Sequence, residues 1–141
     1  LDHFVRIFDA LHAAHALLGP DHVGGVKAAL LDTRTGLADN WLRHVQDVRN
    51  RHGAWLESLP EARRVNALCD LNVVEQALNV CQTTVVQDAW QRGQEVTVHG
   101  WVYGLGNGLL DDLGMSVRRG DDLAAVYSAA VGVVHRRHEA A

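Results

Sequence analysis

Asp21 and His22 stand side by side in Gly-Pro-Asp-His-Val-Gly-Gly, residues 19–25, a loop able to hold a reacting centre. Carboxylate and imidazole both bind divalent metals, and the imidazole exchanges its proton near neutral pH. The pair Gly24-Gly25 opens a helix. Backbone N–H groups at a helix start, with no Cβ above them, suit close approach of a small anion. A tetrahedral zinc site, however, needs three protein ligands in fixed geometry. Pro20 carries no side-chain donor atom and Val23 carries only methyl groups. Asp21 and His22 are therefore the only ligand types in the loop, a weak set for a metal.

The other candidate side chains do not complete it. His12 and His15 share a helix face, and His44 and His52 lie on an amphipathic helix; these histidines read as solvated or packed behind a site. Cys69 and Cys81 are separated by twelve positions in one helical pattern, ~18 Å on a straight helix. That is too far for a disulfide or a shared metal, so both read as buried, reduced thiols. Tyr103 reads as a strand-end tyrosine with its ring packed and its hydroxyl outward. Trp41, Trp55, Trp90 and Trp101 read as core or interface residues.

The elements that position these groups follow from periodicity. Residues 4–18 are apolar, either a helix or a helix running into a short buried strand, which periodicity alone does not separate. A helix is expected from Gly24 to Leu31. Trp41, Leu42, Val45, Val48, His52, Trp55 and Leu59 recur about every 3.5 residues, an amphipathic helix broken or bent near Gly53. Ser-Leu-Pro-Glu at 58–61 has the form of a capping box, with Ser58 as N-cap, Pro60 in the first turn and Glu61 reaching back. A long helix should follow, then a shorter one after Thr83 that Gly93 stops. At 96–103 the period changes to two. This strand would place Val96, Val98 and Val102 on one face and Thr97, His99, Trp101 and Tyr103 on the other. A turn at Asn107-Gly108 leads to a second, shorter strand near 109–113. Asp121 can cap a final helix whose basic end suits the helix dipole.

At 141 residues, with 48% hydrophobic and 21% charged side chains, the chain reads as a single globular domain over 1–141. A net charge of −4 gives no footprint for nucleic acid or an anionic membrane. There is no apolar run long enough to span a bilayer and no signal-peptide pattern. The thiols point to a reducing location, cytoplasmic or in an organelle interior. The sequence starts at Leu1 rather than at Met, which leaves room for a segment upstream of it.

The stretch NVVEQALNVCQTTVVQDAWQRGQEVTVHGWVYGLGNGLLDDLG closely resembles the C-terminal half of β-class carbonic anhydrases, as do GGVKAAL, NWLRHVQDV and LCDLNVVEQ. The resemblance runs from Gly19 to Gly114, about two-thirds of the chain. It implies an α/β fold around a parallel-centred sheet, here incomplete: mostly helical, with a small sheet that includes the strands near 96–103 and 109–113. It also implies dimers or larger oligomers and the zinc-dependent interconversion of carbon dioxide and bicarbonate. In that family two Cys and one His hold the metal, and an Asp–Arg pair orients or closes the fourth position. The motif Gly-His-x-x-Cys-Gly-Gly aligns without gaps to residues 19–25. Gly19, Gly24 and Gly25 match, with Gly24 and Gly25 as the anion loop, but the His position is Pro20 and the Cys position is Val23. The other motif, Cys-x-Asp-x-Arg, would lie upstream of Leu1. In some members the equivalent of Tyr103 helps to hold bicarbonate at a non-catalytic pocket.

The resemblance therefore implies a carbonic anhydrase relative that lacks its zinc ligands, a truncated or pseudo-subunit with zinc absent or weakly held. Two alternatives stay open: an active enzyme whose ligands come from a missing segment or a partner chain, and a bicarbonate- or anion-binding regulatory module built on Gly24, Gly25 and Tyr103. The expected partner is a second copy or an intact β-carbonic anhydrase subunit. The resemblance also implies that the upstream Cys-x-Asp-x-Arg motif lies on an interior strand of the sheet, whose loss would leave unpaired edges and uncover part of Val96, Val98 and Val102. At about 25 cal/mol per Å² of apolar surface, a few hundred Å² rivals a domain's ~5–15 kcal/mol of stability.

Overall fold

A computed structural model of the chain describes residues 24–31, 39–104 and 107–139. These group into two units: Val73–Arg137 in one, and the described part of Phe8–Asn72 with His138 and Glu139 in the other.

The unit containing Phe8–Asn72 opens with α1 (Gly24–Leu31), followed by α2 (Asp39–Arg51) and α3 (Gly53–Ser58). α1 has the expected bounds. It buries Val26 and Ala29 and packs against α2. The amphipathic stripe is realised through Leu42, Val48, Leu56 and Leu59, all buried, with Val45, His52 and Trp55 half-buried. His52 leaves helical geometry (φ −107°, ψ 16°), which produces the expected break before Gly53.

The expected capping box does not form. Ser58 is the last residue of α3, and its hydroxyl donates back to Trp55 O at 2.6 Å. Leu59 is extended and buried, so the chain must leave one helix before entering the next. The next helix, α4 (Glu61–Cys81), starts after Pro60, whose carbonyl accepts from Arg63 N at 2.9 Å. Arg64 donates to Leu59 O and Glu57 O, both at 3.0 Å, and so satisfies carbonyls at the end of α3.

α4 is divided between the units after Asn72. From Ala67 to Ala77 it buries residues on every side, including Leu68, Leu71 and Val74. Its weakly periodic sequence suits a helix enclosed all round. Asp70, Asn72 and Glu75 are buried with them.

In the unit Val73–Arg137, α5 (Thr84–Gln91) follows the Thr83 cap, whose hydroxyl accepts from Val86 N, and Gly93 (φ 78°) ends it as expected. β1 (Val98–Tyr103) and β2 (Leu110–Val117) then form an antiparallel pair. β1 begins at Val98 rather than at position 96, because the Val96 carbonyl is taken by the Trp90 indole N–H at 2.8 Å. β2 is the longer strand, not the shorter. Gly100 pairs with Met115 and Trp101 with Asp112, so Leu113 and Gly114 form a bulge that lets β2 continue. Gly114 has φ 76° there, and its N–H is held by Asp112 Oδ1 at 2.8 Å. Along β1 burial falls toward the turn: Val98 and Gly100 are buried, Val102 is half-buried and Tyr103 is exposed. Gly100 is required by close approach. A Cβ there would lie 2.9 Å from Met115 Cβ, with Ala77 Cβ at 3.6 Å on α4.

The final helix, α6 (Leu123–Glu139), is capped by Asp122 rather than Asp121. Asp122 Oδ1 accepts from Ala124 N and Ala125 N at 3.0 and 3.1 Å. Asp121 instead accepts from Arg118 N at 2.8 Å and closes the turn in which Gly120 has φ 88°. That turn moves the cap one residue along. No helix among the described residues is long and apolar enough to cross a membrane.

Cys69 and Cys81 are both free and buried. Burial, with the Asp70 charge adding to it, pushes the Cys69 thiol up to about 12 from 9.0. Burial raises Cys81 to about 11, against a lowering backbone hydrogen bond. Both folded values lie above the unfolded one, so the unfolded chain releases these protons first as pH rises. Their contribution to stability is full below pH 9 and is lost progressively up to about 11 for Cys81 and about 12 for Cys69. The native chain should therefore react with a thiol reagent at pH 8 far more slowly than the urea-unfolded chain. Two fast thiols in the folded protein would contradict this burial.

Candidate functional site

The loop residues Pro20, Asp21, His22 and Val23 lie outside the described residues, as do His12 and His15. What the structure places is the helix that the loop enters. Gly24 and Gly25 are the first two residues of α1. At the other end of that helix the Arg49 guanidinium, on α2, donates to Ala29 O at 2.7 Å and Leu30 O at 3.2 Å. A cation on the last carbonyls of a helix satisfies acceptors that have no partner within the helix and meets the negative end of its dipole. Arg49 therefore positions the glycine helix from its C-terminal end. No local signal marks it, because the contact spans twenty residues.

Tyr103 ends β1 opposite Leu110 and is 47% exposed. Its hydroxyl lies over the turn, 3.6 Å from where a Cβ on Gly108 would stand. Gly108 has φ 69°, and Asn107 Oδ1 accepts from Leu109 N at 3.0 Å. Leu109 and Leu110 are also exposed, which makes this end of the hairpin apolar. His44 is exposed on α2 and His52 half-buried at the α2–α3 break. Among the described residues no group of three or more His, Cys, Asp or Glu side chains could hold a metal ion. Residues 19–23 are not among them.

The structure assembles polar clusters that the sequence reading did not find. In the unit with Phe8–Asn72, His138 Nε2 lies 2.8 Å from Asp70 Oδ2, with side chains 11% and 6% exposed. Arg63 donates to His138 O at 3.0 Å. The Trp55 ring meets the His138 ring edge-on at 6.5 Å and 75°, and its N–H donates to Glu139 Oε1 at 2.9 Å. Within that unit these contacts hold His138 and Glu139 against Trp55, Arg63 and Asp70. In the unit Val73–Arg137, the Tyr127 hydroxyl donates to buried Glu75 at 2.5 Å. On the hairpin, His99 Nδ1 and Ser116 Oγ are 2.8 Å apart, and the His99 ring stacks on Trp101 at 4.6 Å. Each cluster satisfies buried or half-buried polar groups, as enclosed polar side chains require. Their hydrogen-bonded partners are 17 to 84 residues apart in sequence, beyond the reach of any motif.

The family model for carbonic anhydrase matches residues 9–110. The chain is 41% identical over 96 residues to a carbonic anhydrase of Emericella nidulans, covering 67% of this chain and 42% of that protein. It is 35% identical over 96 residues to a carbonic anhydrase of Pseudomonas aeruginosa, covering 68% and 42%. Among solved structures, the Coccomyxa β-carbonic anhydrase in complex with acetazolamide matches with a TM-score of 0.64 and 33% identity, over 72% of this chain and 50% of that one. One of two tetrameric β-carbonic anhydrases from the filamentous ascomycete Sordaria macrospora matches with a TM-score of 0.59 and 32% identity, over 67% and 48%. The chain thus spans about half, or less, of the length of these relatives. Its mostly helical structure with a small two-stranded sheet corresponds to part of their fold. The chain belongs to the β-carbonic anhydrase family.

Proposed function

We propose that this chain is a carbonic anhydrase homologue that does not itself hydrate carbon dioxide, and that its role is that of a pseudo-subunit. The observation that carries the reading is the identity of Pro20 and Val23 in the loop before α1. By resemblance these are the positions of a zinc-binding imidazole and thiolate. The family reaction requires a metal to turn water into a nucleophile at neutral pH. A pyrrolidine ring and an isopropyl group donate no electron pair, so the residues present do not fit the metal. Gly24 and Gly25 keep the backbone of the anion loop without its chemistry.

Stopped-flow measurement with a pH indicator tests the proposal. Hydration of carbon dioxide by the purified chain should be indistinguishable from the buffer blank. Inhibitor-sensitive turnover at low protein concentration would overturn the proposal and favour an active enzyme whose ligands come from another segment or chain.

The partner we propose is a second copy of the chain or an intact β-carbonic anhydrase subunit. The hairpin end supports this, because it exposes Tyr103, Leu109 and Leu110. The Sordaria relatives are tetrameric. Size-exclusion chromatography with light scattering should give a mass above that of one chain. A cooperative, well-folded monomer at micromolar concentration would contradict the assembly. The two buried free thiols fit a reducing compartment.

A further inference from the structure

We draw no further inference here: the strongest candidate, the exposed apolar end of the β1–β2 hairpin formed by Tyr103, Leu109 and Leu110, carries nothing further because nothing in the structure shows what covers it.

Discussion

After dialysis against a mild chelator, the purified chain should retain far less than one zinc ion per molecule. A stable site needs three protein ligands around the metal. The loop at 19–25 supplies none at the two aligned ligand positions. Asp21 and His22 are neighbours in sequence and would have to recruit a third ligand from elsewhere. Elemental analysis of the dialysed protein decides the matter. About one tightly held zinc per chain would sink the idea, and its loss in Asp21→Ala with His22→Ala would then locate the substitute site. Restoring both ligand types, Pro20→His with Val23→Cys, should yield at most weak binding in this chain. The 141 residues contain no Cys-x-Asp-x-Arg sequence to complete the set. The same double variant binding zinc tightly would show that other side chains already stand in the right geometry.

Asp70→Ala should be among the most damaging single substitutions in the described residues, costing about 1–3 kcal/mol, the range for leaving a buried polar group without its hydrogen-bond partner. Asp70 and His138 are nearly enclosed and 2.8 Å apart. Removing the carboxylate leaves the imidazole buried beside a small cavity, with the Arg63 guanidinium still held against the His138 carbonyl. A loss of that size is a large part of a domain's ~5–15 kcal/mol. Replacing both partners by leucine should cost much less, because neither polar group is then stranded. Urea unfolding of the wild-type chain, the single variant and the double variant separates these cases. A single-variant loss under about 1 kcal/mol would mean that the pair is solvated and does not hold His138.

These two expectations rest on different kinds of knowledge. The first needs only residue identity, since proline and valine lack donor atoms in any conformation. Several elements were legible in the same way because their causes are local. Gly24-Gly25 starts α1, Gly53 follows the break after α2, and Thr83 and Gly93 bound α5. A cap, a glycine turn or a helical stripe acts within about four residues. Where a distant group competes for the same atom, the local signal loses. Ser58 has the pattern of a cap, but its hydroxyl turns back to Trp55 O, and α4 starts beyond buried Leu59. Val96 has the period of a strand, but the Trp90 indole takes its carbonyl. The bulge at Gly114 is set by the pairing of two strands and by the Val133 side chain, 3.3 Å from where a Cβ on Gly114 would lie. Family, loop chemistry and most helix bounds were thus determined by sequence alone, as properties of side-chain type and near-neighbour spacing. Strand register, the Arg49 clamp on α1 and the Asp70–His138 pair were decided only by tertiary structure, because each depends on burial and on hydrogen-bond partners that meet only when the chain closes on itself.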